Sequence, residues 1–86
     1  MSKQTSFASD IKPLFRPVDV EHMKRSGVVL DDFTYMSDPR DEHANARSVH
    51  DRLTGEKKPR MPPGGPFWTA EQIALFEKWM SDGYAP

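Results

Sequence analysis

The 86-residue chain contains no cysteine. That absence excludes disulfides, Cys-ligated zinc, iron–sulfur clusters and thiol nucleophiles. Long apolar runs are missing too: none reaches the roughly seven residues of a signal-peptide core. With the initiating Met1, this gives the expectation of a cytoplasmic protein that does not enter a membrane. Neither sign of charge dominates, because 12 Lys and Arg oppose 13 Asp and Glu for a net charge of -1. Neither a nucleic-acid footprint nor a membrane-surface patch is indicated. Histidine is scarce, at three residues, and His43 and His50 stand one helical face apart with no third ligand nearby. Such a pair reads as the polar edge of a helix rather than a metal site. No nucleophile beside a base, no paired acidic motif and no phosphate loop is present, so no catalytic role is expected.

What is present reads as helix. A chain of this length forms one domain and buries only about 60–65% of the surface exposed when unfolded, so its core is marginal. Residues 1–8 are polar and read as a flexible N-terminal arm; residues 9–86 form the domain. Ser9 or Asp10 caps a short helix carrying Ile11, Leu14 and Phe15. Pro13 is tolerated in its first turn. Pro17 opens a second piece, Val18 to Arg25, followed by Gly27. Val28-Val29-Leu30 is an extended connection into the core, and Asp31 or Asp32 starts a short turn with Phe33, Tyr35 and Met36. Asp38-Pro39 opens a third helix, Pro39 to Leu53, with Asp41 and Glu42 in the first turn, where the helix dipole favours them. Its buried stripe is Ala46, Val49 and Leu53, and Gly55 closes it.

The segment from Lys57 to Trp68 is rich in Pro and Gly and reads as a constrained loop presenting Met61. Two uses of Met61 stay open: packing into the core, or service as a ligand. Thr69 then caps a C-terminal helix, with Gln72 reaching back to the Thr69 amide. Ile73, Phe76 and Met80 share one face of that helix, Trp79 lies beside them, and Asp82-Gly83 ends it. The N- and C-terminal helices thus carry apolar stripes of matching length. The first stripe is Ile11, Leu14 and Phe15, the second Ile73, Phe76 and Met80.

Three stretches in this order, Asp10-Ile11-Lys12-Pro13-Leu14-Phe15 leading into Val18 to His22, Met61-Pro62-Pro63-Gly64-Gly65, and Thr69 to Asp82, carry a resemblance. The chain resembles a small class I cytochrome c over nearly its whole length. The resemblance implies an all-α, orthogonal helical domain in which the N- and C-terminal helices cross, so that their two stripes, Ile11, Leu14 and Phe15 with Ile73, Phe76 and Met80, share a core. It also implies axial haem ligands at His22 and Met61. Val18 and Glu21, however, stand where the family has its two haem-attaching cysteines, so neither thioether can form. The expectation is therefore a haem-free, cytochrome c-like interaction module without cofactor or metal. It would be an accessory subunit or docking domain whose protein partner is an oxidoreductase or another enzyme. The alternative is an electron-transfer protein holding haem non-covalently through His22 and Met61.

A fold that has lost haem must fill the space, and Phe33, Tyr35, Phe67 and Trp68 are the candidates to do so. In the resembled family the rim by the ligand loop is where partners dock. Here that rim would comprise Lys57, Lys58, Arg60, Phe67 and Trp68, with the cations steering an acidic partner and the aromatics anchoring it. Burial of Trp68 as a staple over the C-terminal helix is the competing expectation.

Overall fold

Ser6 starts the first ordered element. Its amide donates to the Asp10 carboxylate at 2.8 Å and its hydroxyl accepts from the Ser9 amide at 3.4 Å, a reciprocal cap at the head of a single π-turn, Phe7–Ile11. A 3-10 turn, Lys12–Leu14, comes next. The chain then extends through Phe15 and Arg16 until Pro17, at the first helical position, opens α1 (Pro17–Lys24). The computed structural model describes residues 5–58, 60–61 and 66–86. Among these there is no strand, and three further helices complete the chain: α2 (Phe33–Met36), α3 (Arg40–Thr54) and α4 (Ala70–Ser81).

Thr5 and Phe7 fall within the stretch expected to be a flexible arm. Both are buried, and the Phe7 amide donates to the Ala85 carbonyl at 2.9 Å. That same carbonyl accepts from the Trp79 indole at 2.7 Å, while the Ser6 hydroxyl donates to the Pro86 carbonyl at 2.8 Å. The two ends of the chain are thus tied together. The closest packing of α4 is against the π-turn and α3. Of the six residues expected to share the core, Ile11, Phe15 and Phe76 are buried, whereas Leu14, Ile73 and Met80 pack at its margin.

Trp79, expected beside the apolar face of α4, is at its centre and fully buried. It lies in a continuous run of rings. Phe33 meets Phe7 at 5.8 Å between centroids, Phe7 meets Trp79 at 5.5 Å, and Trp79 meets Phe76 at 5.6 Å. Phe76 meets Trp68 at 6.2 Å and Trp68 meets Phe15 at 5.1 Å. The pairs are tilted or edge-on, the arrangements that ring quadrupoles favour. This spine, with Met23, Leu30, Met36, Val49, Leu53 and Met61 around it, fills the interior. Phe33, the outer end of the run, and Tyr35 are only partly buried and Phe67 is exposed, so of the four aromatics expected to fill the interior Trp68 alone is buried.

The start of α3 departs from a regular helix. Asp38 accepts from the Arg40 amide at 2.9 Å, but Asp41, Glu42 and His43 then take left-handed φ values of 54°, 59° and 60°. Each such residue costs about 1–2 kcal/mol. Offsetting contacts come from Arg47, which donates to the Glu42 carbonyl at 2.9 Å and the Asp41 carbonyl at 2.8 Å, and from the His43 ring stacked on Tyr84 at 3.9 Å. The dipole argument for Asp41 and Glu42 therefore does not apply, because their backbone is outside the right-handed helix. Beyond His43 the helix is regular, its Ala46, Val49 and Leu53 stripe is buried as expected, and Gly55 ends it at φ 93°.

Candidate functional site

The rim is built by a short reversal after α3. Gly55 turns the chain, the Lys57 amide donates to the Asp51 carbonyl at 3.1 Å, and the Met61 amide donates to the Arg52 carbonyl at 2.8 Å. The segment is thereby laid back along the last turns of α3. Met61 points inward and is buried among the core side chains. Pro59 and Pro62 to Gly65, the other constrained positions of the expected loop, lie outside the described residues.

Arg60 leaves this segment on the outside. Its stem passes so close to Gly55 that a Cβ there would stand 3.3 Å from Arg60 Cδ and Nε. Its guanidinium lies over the Phe67 ring, 4.1 Å from the centroid. Phe67 is 46% exposed, one of two large apolar side chains so exposed among the described residues. A stacked guanidinium is weakly hydrated and fixed in plane, so this cation–π pair gives the rim a defined shape. Lys57 is drawn away from it, its ammonium donating to the Ser48 hydroxyl at 2.8 Å. Lys58 is exposed.

Trp68, expected on the rim, is instead buried beneath it and meets solvent only where it lines the neighbouring cleft. Successive residues of the extended approach to α4 point to opposite sides, so with Phe67 outside, Trp68 turns inward onto Phe15 and Phe76 at 8% exposure. Thr69 then caps α4, accepting from the Gln72 amide at 3.1 Å while Gln72 Oε1 accepts from the Thr69 amide at 2.8 Å.

A cleft of about 320 Å³ opens beside Phe67, lined by Leu14, Arg16, Asp19, Trp68, Thr69 and Gln72 among others. Arg16 and Asp19 face each other across a forked pair, Nε to Oδ2 at 3.0 Å and Nη2 to Oδ1 at 2.9 Å. The carboxylate also accepts from the Arg16 amide at 3.2 Å. Sequence reasoning missed both residues. The only signal was their i, i+3 spacing around Pro17, which reads equally as an ordinary helix start.

His22 is exposed on α1, Met61 belongs to the core, and neither lines this cleft or those at Phe15, Pro17 and Val20 and at Asp38 and Asn45. His43 and His50 also serve different neighbours: His43 stacks on Tyr84, and His50 Nε2 lies 2.7 Å from Glu77 Oε2 across the α3–α4 contact. Among the described residues no three His, Asp or Glu side chains converge as a metal site, and no helix is long and apolar enough to cross a membrane.

Comparison of the chain with protein families, with curated proteins and with solved structures gives no match.

Proposed function

We propose that this chain is a haem-free, cytochrome c-like interaction module, an accessory subunit or docking domain for an oxidoreductase or another enzyme of the cytoplasm. Its contact surface is the rim formed by Lys58, Arg60 and Phe67, with Lys57 at its edge. The observation that carries this reading is the exposed Phe67 ring held beneath the Arg60 guanidinium at 4.1 Å. For a marginal 86-residue domain a half-exposed phenyl ring under one guanidinium adds little stability, whereas aromatic and arginine side chains are enriched among interface anchors. The cations supply steering toward an acidic surface. The cytochrome c-like reading draws support from the all-helical fold, the inward Met61 and the contact of the N-terminal turn with α4.

The test is to isolate the protein with its partner from the native host and repeat the isolation with Lys57, Lys58 and Arg60 all replaced by Glu. The triple variant should keep its melting temperature nearly unchanged and lose partner affinity, most strongly at low salt, where screening is weakest. Retention of the partner by this variant at low salt would place the docking face elsewhere. Incubation with hemin checks the companion claim. The protein should develop no stoichiometric low-spin spectrum, and a Soret band that shifts in His22→Ala or Met61→Ala would overturn the haem-free reading.

A further inference from the structure

The cleft beside the rim has its own chemistry, and the occupant inferred for it rests on the docking reading of the rim. Its walls are apolar at Leu14, Phe67 and Trp68, but its charges are unequal in availability. The Asp19 carboxylate is 6% exposed and accepts both guanidinium donors of Arg16 as well as its amide. That pair is neutral within the fold. Glu71, in the first turn of α4, does not line the cleft. Arg60 is different. One face of its guanidinium is covered by Phe67, while its N–H donors project from the edge in the plane of the group. Among the described residues those donors meet no carboxylate or carbonyl. A cation stacked on an aromatic with a free donor edge is a receptor for a carboxylate, because the fork geometry is already fixed.

We propose that this cleft receives a short extended segment of a partner protein, with one apolar side chain seated against Leu14, Phe67 and Trp68 and a nearby Asp or Glu taken by Arg60. The size fits. At about 320 Å³ the cleft lies at the lower end of binding pockets, room for one large side chain and not for a helix about 10 Å across. Arg60 does not line the cleft but lies on the Phe67 ring that does, and in an extended segment residues two apart share a face at about 6.6 Å, so the proposed anchor and acid stand at i and i+2. The occupant is thus an acidic segment with an apolar anchor.

The probe is a fluorescein-labelled, end-capped nonapeptide alternating Glu with Leu and carrying one central Phe. Two controls accompany it, one with Lys for Glu and one with Ser for every apolar residue. At low salt the acidic apolar peptide should bind, and both controls should bind at least about tenfold more weakly. The Leu14 and Gln72 amides and the Trp68 indole should shift in nitrogen–proton spectra on addition of the peptide. Arg60→Gln and Phe67→Ser, both outside the core, should each weaken binding about tenfold. Absence of binding, equal binding of the Lys peptide, or spectral changes away from the cleft would overturn the assignment. So would heparin binding that the same two substitutions weaken and that competes regardless of the apolar anchor, since it would mark a polyanion site. The two proposals fail separately. If the triple reversal releases the natural partner but the peptide does not seat, the docking face stands and the cleft assignment falls. If the peptide seats but the partner survives the reversal, the proposed function falls.

Discussion

Phe67 and Trp68 are neighbours in sequence and belong to different regions of the molecule. Trp68 joins the spine of rings that runs from Phe33 to Phe15 through the interior, touching Phe15 on one side and Phe76 on the other. Phe67 faces solvent at the rim under Arg60. The difference comes from the extended backbone before Thr69, which sends consecutive side chains to opposite sides. Two rings of similar hydrophobicity therefore do opposite things. In the spine, ring area is removed from water and contributes most of its stability there; at the rim about half of the ring remains exposed, the Arg60 contact contributes little, and the larger contribution comes through a partner. Substitutions in the two regions should separate stability from association.

The largest effect is expected in the spine. Phe76 is fully buried and touches both tryptophans, so Phe76→Ala should cost about 3–5 kcal/mol. That is much of the total stability of a domain this small, and urea denaturation should show the variant largely unfolded at ambient temperature. A smaller effect is expected where spine and rim are joined. Gly55→Ala places a side chain at φ 93° and brings its Cβ to 3.3 Å from the Arg60 stem. It should cost about 1–3 kcal/mol in the same assay and displace Arg60 from Phe67, visible as a change in the Phe67 ring resonances.

The smallest effect concerns a region remote from both. Hydrogen bonds from the Arg40 side chain, then from its amide, hold the Asp38 carboxyl below the usual aspartate range. Because the folded value is the lower one, the contribution is fully present above the ordinary aspartate range and is lost as pH falls through the depressed value. Asp38→Asn should therefore lie slightly below wild type in melting temperature at neutral pH and converge with it in acid. Persistence of the gap in strong acid would show that the carboxylate charge is not its source.

Sequence periodicity located most of the helical elements for physical reasons that are local. Thr69 and Gln72 satisfy each other's amides within one turn, Pro17 fits the first position of α1, and the Ala46, Val49 and Leu53 stripe arises from a 3.6-residue period. What was not legible depends on distant partners. Phe7 sits in a polar N-terminal stretch, and only Trp79, Phe33 and the Ala85 carbonyl make it a core residue. The left-handed turn at Asp41 to His43 is held by Arg47 and Tyr84, and propensity alone favours the opposite hand. At the rim the residue types were legible, but which of two adjacent aromatics faces out is decided by strand-like register into α4. Arg60 meeting Phe67, and Arg16 meeting Asp19 beside the same cleft, required the folded chain.

The most direct measurement is the affinity of the partner isolated from the native host for the double variant Arg60→Gln, Phe67→Ser, at low ionic strength and beside wild type. Neither side chain belongs to the buried core, so the variant should remain folded. Its affinity should fall by more than about tenfold, as expected when an aromatic and arginine anchor is removed. An affinity equal to wild type in a folded double variant would contradict docking at this rim.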